Sequence, residues 1–100
     1  MKAISNVRNF TGDEKAPELK SVIQKSEPEQ KNKVLAYLKS FNPDCAAGMF
    51  LTDEITGKTI EEGVKGYEDG EYYWDTREIY HFEKYNMKLN EDFIEHVLNQ

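Results

Sequence analysis

The spacing of apolar residues predicts helices toward both ends of the chain and strands between them. A short helix is expected to begin near Glu18, because the apolar residues that follow have the i, i+3, i+4 spacing of one helix face: Leu19, Val22 and Ile23. Residues 1–16 show little periodicity and are followed by Pro17. They are therefore expected to form either a loosely ordered arm or an edge strand.

A second helix is predicted over about residues 27–40. Ser26 and Glu29 have the spacing of a capping box, and Pro28 suits the first turn of a helix. One side of this helix carries an apolar stripe, and the opposite side is expected to place its lysines in solvent: Lys31, Lys33 and Lys39. The stripe consists of Val34, Leu35, Leu38 and Phe41.

The middle of the chain has the pattern of strands. The continuous apolar run 47–51 predicts a central strand that is buried on both faces. Two runs rich in β-formers, 64–68 and 71–75, flank Asp69 and Gly70. Asp-Gly is a preferred two-residue hairpin loop, so these runs are expected to pair antiparallel around it.

The last quarter of the chain returns to helical spacing. Asp75 and Glu78 form a second capping-box pattern, which predicts a helix over 76–85 that ends at a left-handed Asn86. Asn90 is expected to cap a final helix over 91–98. The order of helices, strands and helices predicts an α+β fold, a single small domain over 1–100, with an antiparallel sheet packed against N-terminal and C-terminal helices.

Composition narrows the class of protein. The 100 residues hold 13 basic and 19 acidic side chains, a net charge of −6, which disfavours nucleic acid and anionic membranes as direct partners. The chain has no run of apolar residues long enough to cross a bilayer, and its N-terminus lacks the apolar segment of a signal peptide. A single cysteine, Cys45, fits a reducing compartment, so a cytoplasmic location is expected.

Candidate chemical sites are few. The sequence Gly57-Lys58-Thr59 lacks the earlier glycine of a phosphate-binding loop and is interpreted as a turn. His81 and His96 have no cysteine pair at metal-ligand spacing, and they are interpreted as surface or half-buried histidines. Cys45 is expected to be an exposed thiol without a base to activate it. We therefore expect no catalytic residue, metal or cofactor, and no enzymatic activity.

The acidity is concentrated in one half of the sequence. Residues 1–50 carry a net charge of +2, and residues 51–100 carry −8. With Asp69 and Gly70 as a two-residue loop, Glu68 would lie opposite Glu71, and like charges in that position destabilise a hairpin unless a cation relieves them. One face of the hairpin would hold Tyr67, Tyr72 and Trp74, and the other would hold Glu68, Glu71, Tyr73 and Asp75.

This arrangement has two interpretations. The first is a solvated hairpin tip whose charges are balanced by Lys65 or Arg77. The second is a surface that binds a basic protein, with Tyr73 as an exposed aromatic anchor. In the second interpretation the partner-binding residues are Glu68, Asp69, Glu71, Tyr73, Asp75 and Glu78, with Glu83 adjoining them.

Three segments of the sequence resemble parts of known proteins. The run Tyr67-Glu68-Asp69-Gly70-Glu71-Tyr72-Tyr73-Trp74, the run 83–89 and the run Asp92-Phe93-Ile94 resemble the C-terminal part of small bacterial proteins, some of which are similar to immunity proteins of polymorphic toxin and contact-dependent growth inhibition systems. The resemblance implies a small cytoplasmic protein that neutralises one cognate toxin, often a basic nuclease, by covering or distorting its active site.

The leading hypothesis is thus a non-enzymatic, acidic immunity or inhibitor protein that binds a basic protein surface. One alternative is a structural protein or homodimer, in which the hairpin edge or the strand around Met49, Phe50 and Leu51 pairs with a second copy. Another alternative is a mimic of nucleic-acid charge, which would compete with DNA or RNA for a binding groove. An enzyme is the least favoured class.

Overall fold

The computed structural model describes all 100 residues and confirms the α+β class, with five helices and a four-stranded sheet. The strands are β1 (Lys2–Ala3), β2 (Cys45–Thr52), β3 (Thr59–Glu68) and β4 (Tyr72–Asp75). The helices are α1 (Arg8–Thr11), α2 (Leu19–Val22), α3 (Lys31–Lys39), α4 (Thr76–Tyr85) and α5 (Glu91–Leu98).

The sheet has the strand order β1-β4-β3-β2. Strands β2, β3 and β4 pair antiparallel in chain order, whereas β1 pairs parallel to β4. The sheet is therefore mixed, and the prediction of a purely antiparallel sheet is wrong at this one edge. Parallel pairing is available to β1 because three helices and two strands separate it from β4 along the chain.

Residues 1–16 contribute this edge strand and part of the core. Ile4, Val7 and Ala16 are all buried. The Asn90 amide donates to the Ile4 carbonyl at 2.8 Å, and this bond ties the segment to the start of α5. Of the two predicted forms, the edge strand is the one that the structure adopts.

The hydrophobic core lies between one face of the sheet and the helices. Tyr72 and Trp74 of β4 pack there among buried residues of every helix except α1. The helical contributors are Leu19, Val34, Leu38, Ile79, Phe82, Phe93 and Val97. Tyr67 lies directly opposite Trp74 and stacks on it, with ring centroids 6.3 Å apart and planes inclined by 12°. The predicted aromatic face of the hairpin is thus confirmed.

Helix α3 begins four residues later than its predicted start. Its N-cap is Gln30, in the left-handed region with φ of 62°, and no side chain caps the helix. The Ser26 capping box does not form, and the exposed residues 24–27 lie outside any helix. Lys31 is also not on a solvated side, because its ammonium donates to the Glu83 carbonyl at 2.8 Å and to Asn86 Oδ1 at 2.6 Å.

Helices α4 and α5 have the predicted bounds. Asp75 and Glu78 form the complete capping box at the start of α4, and Asn86 ends it with φ of 55°. Asn90 is the N-cap of α5, but its side chain donates to the Ala3 carbonyl instead of accepting from the helix. The end signals of α4 agree with its amphipathic spacing, so the sequence specifies this helix locally.

Strand β2 is at the edge of the sheet, and the prediction of a central, two-sided strand is wrong. Of its eight residues only Leu51 is buried, while Met49 is 48% exposed and Phe50 is 65% exposed. An apolar run normally indicates burial on both faces. Here no element of the chain packs beyond β2, so the run remains accessible.

The hairpin between β3 and β4 forms with a register that differs from the predicted one. Glu68 lies opposite Tyr73, not opposite Glu71. The Asp69 amide donates to the Tyr72 carbonyl at 3.0 Å, which makes Gly70 and Glu71 the two central turn residues. Only Gly70 of these two has a positive φ, 98°. The predicted clash between two glutamates therefore does not exist.

Candidate protein-binding surface

The face of the sheet opposite the core carries a shallow apolar cleft of about 330 Å³. Alternation along β4 places Tyr73 on this face, where it is 48% exposed, while its neighbours Tyr72 and Trp74 point into the core. The apolar side chains that line the cleft include Met1, Ala47, Met49, Val64 and Tyr73. An aromatic anchor next to two methionines suits a protein contact, since methionine adapts its shape to a partner.

A second cleft of about 270 Å³ adjoins the first along β2. It is lined by Phe50 and by two glycines, Gly48 and Gly63, which leave the backbone uncovered. Gly48 has φ of 71°, a conformation that L side chains rarely adopt. The register of β2 against β3 is irregular around this residue. The two clefts together expose both the side chains and the free edge of β2.

Acidic side chains without cationic partners lie on or beside the strands that carry these clefts: Asp44 and Glu68 border the larger cleft, while Lys65 borders the smaller one. Four exposed carboxylates on or beside β2 and β3 make no ion pair within 4.0 Å: Asp44, Glu61, Glu62 and Glu68. Residues 42–75, which include β2, β3 and β4, hold nine acidic and two basic side chains. The remaining chain holds ten acidic and eleven basic side chains. The net negative charge of the protein therefore belongs to the segment 42–75, which contains β2, β3, β4 and the loops between them.

Of the predicted partner-binding residues, Glu68, Glu71 and Tyr73 are exposed near this surface. Glu68 and Tyr73 lie opposite each other and both border the larger cleft. Glu71 is at the turn, where its Oε2 lies 3.6 Å from His96 Nδ1. These three residues remain available to a partner, because none of them is committed to the core.

Asp69 is directed into the protein, with only 2% of its side chain exposed. Its Oδ2 accepts from Tyr37 Oη at 2.6 Å and from His96 Nε2 at 2.8 Å, and its Oδ1 accepts from the amides of Glu71 and Tyr72. Burial alone would raise its pKa, but these hydrogen bonds lower it to about 2. Asp69 is thus an ionised, internal residue and not a surface contact.

Asp75 is largely occupied by local bonds. Its carboxylate accepts from the Arg77 amide as the N-cap of α4, and it forms an ion pair with the Arg77 guanidinium at 2.7 Å. That hydrogen bond also raises the pKa of Arg77. Asp75 still borders the larger cleft, but as one half of a neutral pair, so it adds little negative charge there.

Glu78 is buried, with 6% of its surface exposed, and therefore cannot contact a partner. Its Oε2 accepts from Ser5 Oγ at 2.5 Å, and its Oε1 accepts from the Asp75 amide. Burial raises its pKa to about 7, and the hydrogen bonds from Ser5 and Asp75 offset only part of this effect. Glu83, the adjoining residue, pairs with Lys39 at 2.9 Å.

A second buried aspartate, Asp53, lies in the loop between β2 and β3 and was not singled out by the sequence. Its Oδ2 accepts from Tyr80 Oη at 2.7 Å and from Tyr85 Oη at 2.6 Å. Burial alone would raise its pKa, but these bonds and the amides of Ile55 and Thr56 hold it well below the usual range. The only feature of the sequence that could have indicated this role is the position of Asp53 shortly before the Thr56-Gly57 turn.

The histidines differ from each other in burial. His96 is half-buried, as predicted, but His81 is fully buried. The Glu54 amide donates to His81 Nε2 at 3.0 Å, so Nδ1 carries the proton and donates to the Arg77 carbonyl at 2.7 Å. The Nε2 bond holds the β2–β3 loop on α4, whereas the Nδ1 bond lies within α4 and fixes the orientation of the ring. Cys45 is exposed and free, and its Sγ lies close to Gly66, where a Cβ would approach it to 2.7 Å.

No group of three or more His, Cys, Asp or Glu side chains is arranged to share a metal ion. The longest helix has ten residues, and no helix is long and apolar enough to cross a membrane. Comparison with protein families, with curated proteins and with solved structures found no match for this chain.

Proposed function

We propose that this protein is a non-enzymatic binding module that holds a partner protein with a basic surface. The observation that carries the proposal is the open sheet face, where Met49, Phe50 and Tyr73 are exposed beside carboxylates that have no cationic partner. Exposed aromatic and methionine side chains provide contact area, and the acidic surroundings select a complementary partner.

The more specific form of the proposal is an immunity or inhibitor protein that acts in the cytoplasm on one cognate toxin. It is supported by the resemblance of the segments 67–74, 83–89 and 92–94 to immunity-type proteins. It is also supported by the charge of the sheet region, because a basic nuclease would be attracted to nine acidic and two basic side chains over residues 42–75. Covering a toxin's active site requires only binding, which this surface suits.

A charge-reversed variant tests the proposal in a pull-down from the native host. The immobilised wild-type protein is expected to retain a partner that Glu68→Lys/Glu71→Lys loses. Glu14→Lys/Glu29→Lys is the matched control, because both residues are exposed, make no ion pair and lie outside the sheet. The retained protein should then arrest growth when expressed alone and permit growth when co-expressed with the wild type.

The salt dependence of binding provides a second readout. Because long-range attraction guides association, raising ionic strength should lower the association rate more than it raises the dissociation rate. If the Glu68→Lys/Glu71→Lys variant bound the same partner with unchanged salt dependence, the acidic surface would have no role and the proposal would fail.

A further inference from the structure

The two edges of the sheet are protected to different degrees. The β1 edge is two residues long, which leaves little backbone for another strand to pair with. The β2 edge is eight residues long and contains no charged residue and no proline, the usual devices that prevent edge-to-edge association. Its register against β3 shifts twice, between Ala46 and Phe50 and between Phe50 and Leu51. Strand β2 therefore keeps an accessible row of backbone donors and acceptors.

The surroundings of β2 suit an added strand. Every residue from 42 to 50 is exposed, and one cleft borders the strand with Ala47 while the other borders it with Phe50. Successive side chains of a strand point to opposite faces of the sheet. Because the two clefts share Met49 and Val64, they lie on the same face, and a segment that pairs with β2 would direct every second side chain toward them.

The charge around β2 indicates which kind of segment can pair with it. A second copy of this chain would bring two acidic sheet regions together, each with nine acidic and two basic side chains over residues 42–75. A segment that carries lysine or arginine would instead be complementary to Asp44, Glu61 and Glu62, which have no cationic partner. The electrostatic argument therefore favours a foreign, basic segment over self-association.

We infer that β2 binds an extended segment of the partner by strand addition, and that this segment alternates apolar and basic residues. The inference rests on the proposed function and specifies its recognition mode. Backbone hydrogen bonds to β2 supply affinity, while the clefts and the acidic surroundings supply specificity. The segment becomes the fifth strand of the sheet.

A capped eight-residue peptide of alternating lysine and valine is the probe. Titrated into the ¹⁵N-labelled protein, it is expected to shift the amide signals of residues 45–52 and to slow their hydrogen exchange by about tenfold or more. A peptide of alternating glutamate and valine should bind about tenfold or more weakly, because it reverses the charge. The same lysine–valine peptide with every backbone amide N-methylated should also lose binding, since it cannot donate to the strand in either register.

Two exposed apolar residues provide matched variants. Met49→Lys places a cation on β2 and should weaken binding of the lysine–valine peptide by about tenfold. Leu98→Lys changes an exposed residue of α5 in the same way and should leave binding unchanged. Circular dichroism melting of both variants establishes that they fold, so a loss of binding by Met49→Lys alone can be attributed to the strand.

Four outcomes would overturn the inference: no shift in residues 45–52 at millimolar peptide, shifts confined to other elements, equal binding of the glutamate–valine peptide, or full binding of the N-methylated peptide. Concentration-dependent dimerisation that protects the same amides would assign the edge to a second copy and overturn it too. The proposed function fails separately, when charge reversal at Glu68 and Glu71 leaves capture of the native partner unaffected.

Discussion

The loop between β2 and β3 and the loop between β3 and β4 each bury an aspartate, and the two aspartates bind their own loops identically. Oδ1 of Asp53 accepts from the amides two and three residues later, at 2.9 and 3.0 Å. Oδ1 of Asp69 does the same in its loop, at 2.9 and 2.7 Å. In both loops one carboxylate oxygen is used to fix the turn.

The second oxygen distinguishes the two loops. Asp53 Oδ2 accepts from two tyrosines of one helix, α4, whereas Asp69 Oδ2 accepts from Tyr37 of α3 and His96 of α5. The first loop is therefore anchored to a single helix, and the second joins two helices that are far apart in the chain. The comparison shows that part of the acidity of this chain stabilises the fold and is not available to a partner.

Replacing each aspartate by asparagine gives the largest expected effect. Asp53→Asn should lower the free energy of unfolding by about 3 kcal/mol at pH 7, because two hydroxyl bonds to a buried charge are lost. Asp69→Asn should lower it by about 2 kcal/mol, because His96 is partly exposed and can turn to water. Urea denaturation followed by circular dichroism measures both.

The comparison is tested by whether Asp53→Asn destabilises the protein more than Asp69→Asn does. A larger loss for Asp69→Asn would mean that joining two helices matters more than the number of buried tyrosine bonds. Glu61→Gln is the control, since Glu61 is exposed and makes no ion pair, and it should change stability by less than about 0.5 kcal/mol.

At each aspartate, only the bonds that Oδ1 accepts from nearby amides could be predicted from the sequence. An aspartate that precedes a glycine-containing turn is expected to accept from amides two or three residues later, because that bond is local. The tyrosines and the histidine lie 27 to 32 positions away in the chain, and only the folded structure brings them to the second oxygen. Asp69 was for this reason interpreted as a surface residue.

The same distinction between local signals and distant contacts applies to the helices and to the open sheet face. Helix α4 was predictable with its bounds because Asp75, Glu78 and Asn86 signal its ends locally. The position of β2 was not, because an apolar run has the same sequence whether it is covered or left at an edge. The register of the hairpin also depended on a distant contact, since Asp69 is held by Tyr37 and His96 outside the turn.

A third buried carboxylate, Glu78, should make the stability of the fold depend on pH with a sign opposite to that of the two aspartates. Its pKa is raised to about 7 from 4.5, so the folded state binds the proton more tightly than the unfolded state does. The resulting stability is complete below pH 4.5 and is lost as the pH rises through 7. In Glu78→Gln the amide oxygen can accept from the Asp75 amide and the amide nitrogen can donate to Ser5 Oγ. The variant should remove a loss of about 2 kcal/mol between pH 5 and pH 8.

Asp69, in contrast to Glu78, should make the protein less stable as the pH falls into the acidic range. Its pKa is lowered to about 2 from 3.8, so its contribution is present above pH 3.8 and is lost as the pH falls through 2. Asp69→Asn should therefore flatten the stability profile below pH 4 and leave the slope of the profile from pH 5 to pH 8 unchanged. Stability profiles of the two variants that coincided would contradict both assignments.

The smallest expected difference concerns the cations beside the two aspartates. Lys84 Nζ lies 3.5 Å from Asp53 Oδ2 with 53% of its side chain exposed, so Lys84→Met should lower the free energy of unfolding only slightly. His96 donates to Asp69 at 2.8 Å and is 18% exposed, so His96→Leu should cost about 1.5 kcal/mol. Urea denaturation at low and high salt separates them, because salt should abolish the lysine effect and leave most of the histidine effect. Equal, salt-sensitive losses would mean that His96 acts only as a surface charge, and that the β3–β4 loop depends on Tyr37 alone to hold Asp69 inside.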